Sequence, residues 1–178
     1  MQISSTDLWD RIAEEAARES PLWGESLLSP SEREQEPAFS PLAEERYALG
    51  LETIYEGYLL HYGRPRLFAP RDRDTGLLLG DYLYAHGLVH VAAYETVDAV
   101  ADLSALISLC AQLRASGRDG DGAVWAATAS LLGEGVLGDA RAAARDGANV
   151  RLLLELAREA AGAEAVEHAL AAHARKVG

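Results

Sequence analysis

Leu77-Leu78-Leu79-Gly80-Asp81-Tyr82-Leu83-Tyr84-Ala85 sets a single acid in an otherwise apolar, helix-forming run. It follows His61-Tyr62-Gly63-Arg64-Pro65 by a short polar connection that contains Pro70 and Arg71-Asp72-Arg73-Asp74. A surface helix gathers its charges on one regular face. This run offers one carboxylate and no basic partner within a turn, and it reads as a helix lining the inside of a bundle.

The rest of the chain reads as helical almost throughout. Alanine, leucine and glutamate dominate, and β-branched residues are scattered rather than alternating. A short helix is predicted from Asp7 to about Arg18, capped by Ser5 or Thr6. Residues 20–40 hold Pro21, Pro30 and Pro37, with Pro41 just beyond, and read as an irregular N-terminal arm with at most a turn or two of helix. Ser40-Pro41 is read as a capped helix start, running to about Tyr62, with Leu51, Ile54, Tyr55, Tyr58, Leu59 and Tyr62 on one broad face. Glu95-Thr96 is expected to precede a helix through Ala115, and Ser116–Gly122 to form a loop. Shorter helices are expected over 123–132, 136–145, 150–161 and 163–176, with Asn149 and Gly162 at boundaries. The expected fold is all-α: one domain over 1–178, an irregular multi-helix bundle.

The 178 residues can support one hydrophobic core. The 28 acidic residues against 16 basic ones give a net charge of −12, which repels nucleic acid and anionic membrane. The lone Cys110 excludes an internal disulfide framework and reads as a buried reduced thiol. The start, Met1-Gln2-Ile3-Ser4-Ser5, lacks the basic and apolar regions of a secretory signal, and no apolar run is long enough to span a bilayer. These features set a cytoplasmic expectation.

The segment from about Leu49 to Ala93 resembles the polyprenyl synthetase (trans-isoprenyl diphosphate synthase) family. The resemblance rests on Gly63-Arg64-Pro65 followed by the run around Gly80-Asp81. It implies part of the all-helical isoprenoid synthase fold, with Mg²⁺ held by acidic motifs and an isoprenoid diphosphate as substrate. In that register Glu52-Thr53-Ile54-Tyr55-Glu56 lies over the family's first aspartate-rich motif, with Thr53 in place of its second acid. His61-Tyr62 stands where the family has paired arginines. A second aspartate-rich cluster is missing, and the only lysine is Lys176.

The resemblance marks Arg64, Arg66, Tyr55 and Asp81 as substrate-binding candidates, and Glu52 and Glu56 as metal candidates. Glu52 and Glu56 share a helix face, as do Asp98 and Asp102, so four acids facing one cavity would rebuild a metal site. The plainer reading turns both pairs to water, makes the tyrosines core, and pairs the arginines of residues 64–73 with Asp72 and Asp74. His86 and His90, four apart, have metal-compatible spacing. They lack a His-Glu-x-x-His signature, which favours neutral histidines satisfied by a bundle neighbour.

The leading expectation is a prenyl-synthase-like protein without catalytic activity of its own and without a cofactor. It would act as an accessory or binding subunit through a homodimer or a heteromeric partner, with Trp23 and Trp125 as contact material. The enzyme alternative is a Mg²⁺-dependent activity on a diphosphate-bearing isoprenoid or other phosphate ester. The third is a helical interaction protein unrelated to prenyl chemistry.

Overall fold

A computed structural model describes residues 5–147 and 149–177, with side chains from Leu8 onward. These residues form an irregular bundle of nine α-helices: α1 Ser5–Glu19, α2 Pro21–Glu25, α3 Ala48–Tyr62, α4 Arg73–Ala92, α5 Val97–Ala115, α6 Asp121–Ser130, α7 Gly138–Gly147, α8 Arg151–Ala161 and α9 Ala163–Val177. There is no sheet among them; a lone bridge joins Leu27 to Phe68. The expected cap at Ser5 or Thr6 lies outside the described side chains. None of the described helices is long and apolar enough to cross a membrane.

The centre of the bundle is α3, whose residues from Gly50 to Leu59 are all buried. A helix buried on every side needs neighbours that come close, and four glycines provide this. A Cβ on Gly57 would meet the Gly80 carbonyl oxygen at 2.8 Å, and one on Gly87 would meet the Gly50 carbonyl oxygen at 2.8 Å and Ile54 Cγ1 at 2.5 Å. Gly50 and Gly57 are seven apart, as are Gly80 and Gly87, so the antiparallel helices α3 and α4 touch backbone to backbone at two points, two turns apart. The glycine of the Gly80-Asp81 pair therefore carries the packing. Asp81 does not line the interior: its side chain is 71% exposed and reaches His61 Nε2 at 3.1 Å.

Around α3 lie two apolar clusters. The larger gathers Ile54, Tyr55 and Tyr58 with Leu103, Leu106 and Trp125, among others. The smaller packs Trp9, Ile12 and Ala16 of α1 against Leu67, Phe68, Leu79 and Leu83. Cys110 is buried and free, and burial pushes its thiol well above the ordinary value, which leaves it unreactive. Trp125 is 1% exposed and so is core rather than contact material. Trp23 stacks on Tyr82.

Two boundaries differ from expectation. Ser40-Pro41 opens only a 3₁₀ turn, Ser40–Leu42, followed by a second at Glu45–Tyr47 before α3 begins at Ala48. Extended backbone at Ala43 and Glu44 separates the turns, and the Ser40 amide donates outward to Glu52 Oε1 at 3.2 Å. Asp121 is not in a flexible loop. It opens α6 with its carboxylate buried, accepting from Tyr58 and from Arg114 Nε at 2.8 Å, with His173 Nε2 at 3.5 Å. Burial alone would raise its pKa, but His173, Tyr58 and Arg114 hold it far below the usual carboxylate range.

Gly87→Ala should lose about 1–3 kcal/mol of unfolding free energy, because overpacking against backbone outweighs the roughly 1 kcal/mol gain in helix propensity. Gly138→Ala, where a Cβ meets nothing within 4 Å, should be neutral or stabilising. Urea denaturation of the two variants measures the contrast.

Candidate functional site

The residues marked by the sequence fall into separate places. Glu52 and Glu56 share a face of α3, and between them sits Arg66, 1% exposed. Arg66 Nη1 donates to Glu52 Oε2 at 2.7 Å and Nε to Glu56 Oε2 at 3.0 Å. The amides of Arg66 and Leu67 both reach Glu56 Oε1 at 2.8 Å. The guanidinium also meets the carbonyls of Glu36 at 3.1 Å and Glu52 at 3.3 Å, and lies over the rings of Trp9 and Tyr55 at 4.5 and 4.9 Å. Burial works against its charge, but Glu52 and Glu56 outweigh that and raise its pKa above the ordinary arginine value. The acid pair that the spacing offers to Mg²⁺ thus grips an arginine from its own chain.

The second acid pair divides. Asp102 is buried and accepts from Arg141 Nη1 at 2.7 Å and from the Gly133 amide at 2.8 Å, whereas Asp98 is exposed. Arg64 is exposed and pairs with Glu34 at 2.9 Å. Arg71 pairs with Asp72 at 3.5 Å, in line with the plainer reading of that loop. Tyr55 is core, its hydroxyl 2.9 Å from His173 Nδ1. The four acids form no common cluster. Among the described residues, the one group of three or more metal-ligating side chains within 4.8 Å of one another is Glu15, His86 and His90.

This group lies where α1 crosses α4. His86 and His90 sit one turn apart on the edge of α4 next to its buried face, with ring centroids 4.6 Å apart. Trp9, Ile12 and Ala16 dock α1 on the smaller cluster and bring Glu15 to that edge. Glu15 Oε2 lies 2.9 Å from His86 Nε2 and 2.7 Å from His90 Nε2. Arg11 Nε, one turn back on α1, takes the other oxygen, Oε1, at 2.8 Å and fixes the carboxylate's orientation. Trp23 stacks on Tyr82 and Tyr82 on His86, which buttresses one ring.

The electrostatics suit ligation. Burial would raise the Glu15 pKa, but hydrogen bonds from Arg11 and His86, together with the charge and hydrogen bond of His90, bring it down to about 2. Burial pulls His90 below the ordinary imidazole value despite the opposing pull of Glu15. A carboxylate and a neutral imidazole are the forms a metal takes. Sequence reasoning found the two histidines and missed Glu15, which is 71 positions away from His86 in the chain. Its only local trace is the Arg11–Glu15 pair at helical spacing.

Compared with protein-family models, curated proteins and solved structures, the chain has no match.

Arg66→Met should destabilise the fold by about 3–5 kcal/mol, because it strands two buried carboxylates. Adding Glu52→Gln and Glu56→Gln should recover a large part of that loss. Guanidinium denaturation of the single and triple variants checks the coupling.

Proposed function

We propose that the protein binds one divalent transition-metal ion through Glu15, His86 and His90. The carrying observation is the convergence of Glu15 Oε2 with two imidazole Nε2 atoms at 2.7 and 2.9 Å, supplied by two helices that are docked independently of the ion. Those are hydrogen-bond distances. An ion about 2.0–2.1 Å from each atom in tetrahedral array needs them about 3.3 Å apart, about half an ångström beyond the two Glu15–imidazole distances. Two imidazoles and one carboxylate favour Zn²⁺, Fe²⁺ or Mn²⁺ over Mg²⁺, which prefers an oxygen shell. The metal thus moves from the acid pairs of the sequence expectation to a mixed nitrogen and oxygen site. The three side chains are all partly exposed, and three protein ligands leave positions for water or a substrate oxygen. This supports a metal-dependent activity on an oxygen-bearing substrate, with phosphate esters as the class to assay first.

A second reading keeps the resemblance over Leu49–Ala93 and makes the chain a prenyl-synthase-like accessory subunit. It is favoured by large apolar side chains exposed on α4, at the turn after it and at the start of α5: Leu78, Val89, Tyr94 and Val97. On this reading the purified chain forms no prenyl diphosphate from allylic and homoallylic diphosphates with Mg²⁺; product formation contradicts it.

Titration calorimetry with Zn²⁺ should show one site per chain at pH 7.5, weakened at least tenfold by His90→Ala and by Glu15→Gln. Both imidazoles must be neutral to bind. Burial keeps the His90 ring neutral to below the ordinary imidazole value, so affinity should hold at neutral pH and fall as the pH drops through that lowered value. Equal binding by wild type and His90→Ala, or no binding to either, contradicts the proposal.

A further inference from the structure

Arg11 adjoins the three ligating side chains, and its contact with Glu15 does more than orient a ligand. It lies one turn before Glu15 on α1, half exposed, with Nε on Glu15 Oε1 at 2.8 Å. Both imidazoles converge on the other oxygen: His90 Nε2 is 2.7 Å and His86 Nε2 2.9 Å from Oε2. The carboxylate is thereby divided. One oxygen goes to a cation of the same helix, and the other is turned to the place of the ion.

This division limits how many bonds the carboxylate can make. A chelating carboxylate presents both oxygens to the ion, which then sits on the line that bisects the group. Here that pose moves the ion away from the point where the two ring nitrogens meet Oε2. It also sets a dication and a guanidinium against one oxygen, where like charges repel. Among the described residues no fourth side chain joins the three within 4.8 Å. The side chains of Glu15, His90 and His86 are 14, 16 and 27% exposed, so the opening to solvent is narrow and suits one water better than three.

We infer that Arg11 is the residue that selects the metal: it holds Glu15 to a single bond and fits the site to four-coordinate Zn²⁺ rather than to Mn²⁺. The assignment rests on metal binding by Glu15, His86 and His90. Two imidazole nitrogens, one carboxylate oxygen and one water complete the tetrahedral shell of zinc. Mn²⁺ takes a larger shell, mainly of oxygen, and a chelating carboxylate is how a site with few side chains helps to fill it. The single water on zinc is acidified toward neutral pH and becomes the nucleophile that hydrolysis of an ester needs. Because Glu15 shares its charge with Arg11, the ion keeps more of its own for that water.

Two measurements on the full chain test the role of Arg11. Co²⁺ in place of zinc reports the coordination number, since four-coordinate Co²⁺ absorbs strongly in the visible and six-coordinate Co²⁺ only faintly. Co²⁺-loaded wild type should show the strong bands, and Arg11→Met should lose at least half of their intensity as Glu15 chelates. Competition titrations give the ratio of the Mn²⁺ and Zn²⁺ dissociation constants. Nitrogen and oxygen sites generally favour zinc over manganese, so the change of that ratio between variants is what counts. It should narrow at least tenfold in Arg11→Met and stay within threefold of wild type in Arg11→Lys, which keeps a charged donor beside Oε1. Arg11 is exposed, and both variants should keep wild-type circular dichroism and melting. If Arg11→Met changes both affinities by the same factor, the arginine acts through charge alone; the inference falls and the metal site stands. Faint bands in Co²⁺-loaded wild type, the mark of three waters beside the three side chains, overturn it in the same way. A wild type that binds neither Zn²⁺ nor Co²⁺ removes the site itself.

Discussion

Arg66 between Glu52 and Glu56 is the contact through which the parts of this molecule are held in register. A buried guanidinium is tolerable only when nearly all its donors are met, and here two carboxylates and two carbonyls meet them. The same pairing draws residues 63–68 onto α3, and Leu28 and Ala69 then exchange backbone bonds with Leu67 and Ser26 to lay the proline-rich segment alongside. Trp9 covers the guanidinium from the other side. The position of α1, and with it Glu15, follows from where that arginine sits.

The imidazoles reach the same place by another route. Glycines on α3 and α4 allow backbone contact at two levels, which fixes the rotation of α4 and turns its His86 and His90 edge toward α1. Two unrelated packing constraints thus bring one carboxylate and two ring nitrogens together, and neither needs an ion to do so. A site assembled in this way is preorganised, and the free energy of metal binding is not drawn down by folding the ligands into place. Protons and a metal ion compete for the same three atoms. Glu15 is ionised well below neutral pH, and the lowered pKa of His90 tilts that competition toward the ion.

Much of the architecture was legible in the chain. Composition and punctuation by glycine and proline gave an all-helical bundle, and the later helices lie within two or three residues of where the sequence put them. Ser40 misled because the backbone turns extended at Ala43 and Glu44, a break that no local cap pattern announces. Asp81 misled differently: an acid in an apolar run looked interior, whereas the residue under constraint was the glycine before it. The acid pairs had the spacing of ligands, but spacing on one helix does not reveal an arginine ten to fourteen positions on that fills the gap. For the same reason the histidine pair was visible and its carboxylate was not. Glu15 belongs to a helix whose docking is decided by Trp9 and Ile12 in three dimensions.

The most direct measurement is the X-ray absorption fine structure of the zinc-loaded chain. The account predicts two imidazole nitrogens and at least one carboxylate oxygen at about 2.0–2.1 Å, with the imidazole multiple-scattering signal halved in His90→Ala. A shell of oxygens alone, unchanged by that substitution, would contradict it and return the metal to the exposed acids.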